Sequence, residues 1–364
     1  MREELFEALT PILFEPHQLD NVGLQALENQ FAQFVQCSHA YGVNSGTAGL
    51  FLALQACQVG LGDEVITVGN SDISTTAVIS HSGATPILCD VMESDHTIDP
   101  NQVEALITTR TKAILPVDLY GHPADVKALR SIADRHGLKI IEDATLASGA
   151  WDYGRPIGAF ADLTVFSFGA HKPLGSVGNG GIVVTNNPAL AEKLFMVRSY
   201  GRTRGNLLGK AMFMDHTLEG YNLPLDPLQA AVVLVKLPFL NTWTQRRREI
   251  AALYAKGLAG SVIGLPNFRP ASRPTYYSYV IRIPFRDNIY RALRERGIEA
   301  GMHYVPPIYQ QTVYEDKQLK NAANLPVTNR LAMELLGLPI APELTNEEIN
   351  FVIEILNELL TRSL

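Results

Sequence analysis

One lysine and the residues around it have the types and spacing to do chemistry. Lys172 lies five positions after Ser167 in the run Phe166-Ser167-Phe168-Gly169-Ala170-His171-Lys172-Pro173, and a glycine-bearing segment, 175–181, follows. Upstream, Ile140-Ile141-Glu142-Asp143 is an apolar run that ends in carboxylates. A lysine amine can condense with an aldehyde, and an anion can keep a pyridine nitrogen protonated. Small polar residues and free backbone N–H groups can hold a phosphate. Together these are the parts needed to bind pyridoxal 5'-phosphate (PLP).

Each part also has a plainer reading. Asp143 falls at the carboxyl end of an expected buried strand, where open α/β sheets place ligands, but a strand-end Asp can simply cap the next helix. Lysines usually sit solvated at the surface. Lys172 instead follows a strand in which Phe166 and Phe168 alternate with Ser167. A lysine beside a cofactor there can have a lowered pKa and act as a proton carrier. Asn44-Ser45-Gly46-Thr47-Ala48 reads as a turn opening a helix, with Ser45 as N-cap and N–H groups free for phosphate. Ser167 can add a hydroxyl, or bond only to backbone. His171 neighbours Lys172 but points the other way on an extended segment, so a structural role is favoured.

Other chemistries fit poorly. Gly42, Gly46 and Gly49 do not form G-x-G-x-x-G, and they follow a helix-like arm rather than a first strand. No P-loop is present, and the nine histidines include no metal-ligand pair, so no metal is expected. Cys37, Cys57 and Cys89 are scattered and odd in number, which argues against a disulfide framework or a metal cluster. The net charge of -7 disfavours nucleic acid. With 46% hydrophobic and 18% charged residues, the composition is that of a globular enzyme. No apolar run is long enough for a bilayer span, and Met1-Arg2-Glu3-Glu4 lacks a signal-peptide layout. A reducing, cytoplasmic compartment is expected.

The elements that must position these residues alternate along the chain. Residues 1–40 read as an arm and one helix, with Leu24, Leu27, Phe31 and Phe34 at helical spacing. Strands are expected at 64–68, 85–89, 112–117, 138–141, 162–168 and 181–185, with helices between them. Such alternation implies a mostly parallel sheet covered on both faces. A long helix over 240–257 precedes a Pro- and Gly-rich junction at 261–274. Beyond it, a strand at 276–283 and helices at 287–296 and 346–360 suggest a small α+β domain. The expected division is 1–40 for the arm, 41–258 for the large PLP-binding domain and 259–364 for the small domain.

The ordered motifs resemble those of the DegT/DnrJ/EryC1/StrS aminotransferases, a branch of the fold type I PLP enzymes. They are Asn44-Ser45-Gly46-Thr47-Ala48, Asp118-Leu119-Tyr120-Gly121-His122-Pro123, Ile141-Glu142-Asp143-Ala144, Gly180-Gly181, Gly220-Tyr221-Asn222, Leu228-Gln229-Ala230-Ala231, His303-Tyr304 and Leu338-Pro339-Ile340. The resemblance implies an α/β fold like that of aspartate aminotransferase. This is a three-layer α/β/α large domain with a mostly parallel seven-stranded sheet, plus a smaller C-terminal α+β domain. It also implies Lys172 as the imine lysine and Asp143 as pyridinium partner, with Gly46, Thr47, Ala48 and Ser167 at the phosphate. Asn222 would reach the phosphate of a neighbouring subunit, which implies a homodimer with shared sites. His303 and Tyr304 would line the substrate mouth. The implied reaction moves an amino group from glutamate, or glutamine, to a keto sugar, cyclitol or similar polyhydroxylated ketone, in antibiotic or surface-sugar biosynthesis.

Three departures alter the surroundings of the ring and the substrate mouth. Asp72 takes the place of an aromatic residue that stacks on the cofactor, Leu146 that of a Gln, and Pro224 that of an Arg. Losing ring stacking costs on the order of 1 kcal/mol. Two alternatives stay open: a PLP-dependent dehydratase or aromatising synthase, and a non-catalytic regulator. Arg198, Arg202 and Arg204 form a basic loop that could meet a phosphate or carboxylate, with a solvated loop as the favoured reading.

Overall fold

The computed structural model describes residues 1–14, 22–203, 216–315 and 319–363. Eleven strands are named here in chain order. They are β1 His39–Val43, β2 Glu64–Val68, β3 Thr85–Cys89, β4 Thr111–Ile114, β5 Lys139–Asp143, β6 Trp151–Asp152, β7 Arg155–Pro156, β8 Leu163–Ser167, β9 Gly181–Thr185, β10 Tyr279–Arg282 and β11 Leu335–Leu338. Seven make the main sheet, in the order β1-β9-β8-β5-β4-β2-β3. Strands β3, β2, β4, β5 and β8 pair in parallel, whereas β9 runs antiparallel to both β8 and β1. The mostly parallel, seven-stranded sheet is therefore present.

The runs read as strands are those buried on both faces, since helices cover the sheet on either side. Every residue of β2, β8 and β9 is buried. Helix Gly46–Ala56 packs Leu50, Leu52, Ala53 and Leu54 into the core, and Ser45 caps its start. Helix Val126–His136 begins at the Asp125 cap and ends at Gly137, which adopts the left-handed conformation. Two buried clusters serve the sheet. A third joins Ile250, Ala251 and Tyr254 of the long helix Leu240–Gly257 to β10, β11 and helix Asn346–Ser363. No helix among the described residues is long and apolar enough to cross a membrane.

Three expectations are corrected. The arm before the first apolar helix is itself helical, Arg2–Phe14, beside the expected helix Val22–Phe34. None of its residues is fully buried and it contains Pro11, so its short half-buried stripe, Leu5, Ala8, Leu9 and Ile12, does not read as an uninterrupted helix. The seventh strand, β1, is His-Ala-Tyr-Gly-Val, too mixed to read as an apolar run. Gly46 therefore does follow a strand, and the absence of that strand is not an argument against a dinucleotide fold; the wrong glycine spacing still is. Strand β11 was also unforeseen, because its partner β10 lies more than fifty residues upstream.

Candidate active site

Sheet order brings the chemistry together. Strands β5 and β8 are neighbours, so their carboxyl ends present Asp143 and Ser167 side by side. Between the end of β8 and the start of β9, the chain loops out through Lys172. Helix Gly46–Ala56 starts against the same edge. These ends enclose a cavity of about 260 Å³ bordered by Lys172, Asp143, Ser167, Gly46 and Thr47. Leu146, Asp72 and Tyr304 border it too.

Asp143 is the last residue of β5 and is buried. Its backbone N–H donates to Pro116 O at 2.9 Å, and the Thr145 N–H donates to its carboxylate at 3.1 Å. Burial raises its pKa above the ordinary carboxylate value, against the Thr145 hydrogen bonds and the positive charge of Lys172. Burial likewise lowers the Lys172 amine below its ordinary value, while Asp143 and then Asp72 pull it back up. Each shift is led by desolvation, which favours neutral forms in an apolar surround. A cation beside Asp143 reverses the balance there and favours the carboxylate. Lys172 Nζ also lies 5.3 Å from the Tyr277 ring centroid, and no described residue accepts a hydrogen bond from it.

The phosphate-type donors are built by close approach. A Cβ on Gly46 would come within 2.9 Å of Thr145 Cγ2 and 3.0 Å of Ser167 Cβ, so only glycine lets the helix start this near β8. Among the described residues, the N–H groups of Gly46 and Thr47 have no acceptor, as expected for the first turn of a helix. Ser167 Oγ accepts the Gly169 N–H at 3.2 Å and remains free to donate. The Ala48 N–H, by contrast, donates to the Ser45 hydroxyl at 3.1 Å, and Ala48 does not border the cavity. An orphaned pair of N–H groups, a hydroxyl, a buried acid and a part-buried lysine in one cavity fit the phosphate, ring nitrogen and aldehyde of PLP.

Not every residue singled out from sequence arrives here. His303 is exposed and borders a separate small void, although its carbonyl accepts a hydrogen bond from Tyr120 Oη and its neighbour Tyr304 reaches the main cavity. Asn222 is exposed, pairs with Ser199 through backbone, and stands outside the cavity of its own chain. Arg198 is not a solvated loop residue: it is buried, donating to Glu28 at 2.6 Å and to Gly42 O at 2.8 Å. Arg202 is half-buried, and Arg204 lies outside the described residues. His171 is exposed and stands outside the cavity. Sequence reasoning missed Thr145, Asn179 and Tyr277; Thr145 alone had a local signal, since a strand-end Asp commonly bonds the N–H two residues on.

A wider groove of about 410 Å³ runs between the long helix and residues 266–279. It holds Arg248 and Arg273 beside Tyr276, with no lysine or carboxylate on its walls, so it lacks the pair the chemistry needs.

The chain resembles known proteins over nearly its whole length. The chain is 40% identical over 359 residues to the dTDP-3-amino-3,4,6-trideoxy-alpha-D-glucose transaminase of Streptomyces venezuelae, covering 98% of this chain and 92% of the relative. Its fold superposes on the X-ray structure of S. venezuelae DesV with a TM-score of 0.93 at 40% identity, covering 99% of this chain and 95% of that one. NtdA of Bacillus subtilis, solved with bound cofactor PMP, matches with a TM-score of 0.89 at 28% identity, covering 99% and 82%. The sequence profile of one family spans residues 2–357, and the chain belongs to that family, the DegT/DnrJ/EryC1/StrS aminotransferases.

Proposed function

We propose that this chain is a PLP-dependent aminotransferase of amino-sugar biosynthesis that works through Lys172 and Asp143. It moves an amino group from glutamate or glutamine to a keto sugar, cyclitol or similar polyhydroxylated ketone. The observation that carries the reading is the single cavity in which Lys172, Asp143, Ser167 and the free N–H groups of Gly46 and Thr47 meet. When bound, PLP supplies an electron sink for the carbon that loses its proton.

The chain's own residues then have separate tasks. Gly46 and Thr47 N–H and Ser167 Oγ hold the phosphate, aided by the helix dipole; Ala48 extends this turn from behind. The Asp143 carboxylate keeps the ring nitrogen protonated, and Thr145 N–H keeps that carboxylate aimed. Leu146 and Asp72 border the space the ring would take. Lys172 Nζ would be the group that holds the cofactor aldehyde and, when free, would accept and return the substrate's proton; burial favours its neutral form, as a proton acceptor requires. Tyr304 and His303 stand at the mouth on the acceptor's side. We take 1–40 as an arm, 41–258 as the cofactor domain and 259–364 as the small domain, which supplies that mouth.

The site is shared between two copies of the chain in this reading. Asn222 reaches the partner's phosphate, which explains why it is exposed and away from its own cavity. Helix Arg2–Phe14 supports a second copy, since it exposes Phe6, Leu13 and Phe14 while only its other face, Leu5, Ala8, Leu9 and Ile12, is half-buried in its own chain.

Lys172→Ala tests the core of the reading. The variant is expected to melt as wild type, to lack the absorbance of lysine-bound PLP, and to lose glutamate-dependent amination of dTDP- and UDP-linked keto sugars. Turnover that survives in Lys172→Ala would refute it. Mixing Lys172→Ala with Asn222→Ala chains is expected to restore activity, because one of the two shared sites then has both residues. Failure of mixed chains to regain any activity would remove the shared site while leaving Lys172 in place.

A further inference from the structure

Asp72 borders the cofactor cavity, but its charge has no task yet. It sits just before helix Ser74–His81 and is exposed, and it borders the cavity that Lys172 borders. Among the described residues, Asp72 and Asp143 are the only carboxylates on that cavity's walls. One oxygen, Oδ1, accepts the Ser74 N–H at 2.9 Å; Oδ2 has no partner among the described residues.

With PLP bound, the two acids stop being equivalent. The charge of Asp143 is committed to the ring nitrogen, so Asp72 is the one remaining carboxylate of the described chain on the cavity that Lys172 borders. We propose, resting on the PLP reading above, that Asp72 is a positioning residue for Lys172: its unpaired oxygen attracts the protonated lysine nitrogen and sets how readily that nitrogen gives up its proton. The other groups around Lys172 do not duplicate this. Tyr277 offers a ring face, and burial keeps both Tyr277 and Tyr304 in the phenol form. His303, though exposed in part, has enough of its ring covered that burial, and then the charge of Lys172, holds it toward its neutral form. Asp72 lines the same cavity as Lys172, Asp143 and Tyr304, so its charge faces the groups that handle the proton.

The direction follows from charge. An anion stabilises the protonated nitrogen, so removing it lets the proton leave at lower pH. Asp72→Asn is the decisive variant, because an Asn Oδ1 can still accept the Ser74 N–H and only the charge is lost. Asp72→Ala loses both charge and cap. The experiment is a spectroscopic pH titration of the lysine-bound PLP absorbance in the holoenzyme, at low and high salt.

The midpoint is expected to fall by about half a pH unit or more in Asp72→Asn and in Asp72→Ala, with a smaller fall in high salt. Only Asp72→Ala should melt lower. A midpoint unchanged in Asp72→Asn overturns the proposal and leaves Asp72 as a helix cap, and so does a lower melting temperature in Asp72→Ala without a shifted midpoint. Wild-type protein that takes up PLP without the lysine-bound absorbance refutes the parent reading of Lys172 instead, and the proposal falls with it.

Discussion

Gly181→Ala is the sharpest structural test of how the cavity is built. Gly181 opens β9 and pairs with Val43 of β1 on one side and Ser167 of β8 on the other. A Cβ there would lie 2.8 Å from Phe166 O, 3.0 Å from Gly46 N and 3.0 Å from Ser45 C. Ordinary contact begins at 3.4 Å, so the shortfall is roughly 0.6 Å against one neighbour and 0.4 Å against two others. All three are backbone atoms, so no flexible side chain can swing away. The strands must part, or the turn at Ser45–Gly46 must move off β8. Overpacking of this kind costs about 1–3 kcal/mol, which lowers the melting temperature by a few degrees. It also separates the Gly46 N–H from Ser167 Oγ. Losing one charge-assisted hydrogen bond to a phosphate, about 1.5–3 kcal/mol, weakens PLP binding by roughly 10- to 100-fold. PLP titration of the apoprotein and a thermal melt read the two effects. Gly60→Ala is the control, since its Cβ would meet nothing nearer than Ser82 O at 3.9 Å. Wild-type affinity and melting temperature in Gly181→Ala would refute the close-approach reasoning.

Two further outcomes follow from buried charge. Burial, and then the nearby Asp152 charge, push the Glu142 carboxyl up to about 7, against hydrogen bonds from Thr164 and Gly158. The folded chain thus keeps a proton that the unfolded chain releases near the ordinary carboxylate value. This contribution to stability is full at low pH and is lost as pH rises through about 7. Glu142→Gln is expected to flatten that decline, gaining on the order of 1–3 kcal/mol at pH 8 relative to pH 5 in denaturant titrations; an equal change at both pH values would refute it. Arg269 binds Asp152 at 3.0 Å, Asp95 at 3.3 Å and Asp125 at 3.5 Å. Arg269→Met leaves three acids without a counter-charge and is expected to cost about 3 kcal/mol at neutral pH, with partial recovery on acidification as Asp95 and Asp152, already raised by burial, take up protons. A loss that stays the same at low pH would show that packing, not charge, is responsible.

The linear chain made the parts of the site readable because their signals are local. A buried β-strand announces itself as an apolar run, its carboxyl end is marked by Asp143, and the cap at Ser45 and the glycine at 46 belong to one helix turn. Lys172 stood out because it follows a strand and precedes a glycine-rich segment. Adjacency was another matter. That β5 lies beside β8, and β9 beside β1, depends on pairings between segments far apart, and so does the meeting of Asp143, Ser167 and Gly46 around one cavity. Burial of Arg198 against Glu28, and the exposure of Asn222, likewise follow from contacts with distant segments. The N-terminal helix escaped notice because its half-buried stripe is short and interrupted by Pro11, and β1 because its mixed residues do not show as an apolar run. Local chemistry and hydrogen bonding therefore wrote the residue roles into the chain, whereas long-range packing chose which residues face one another.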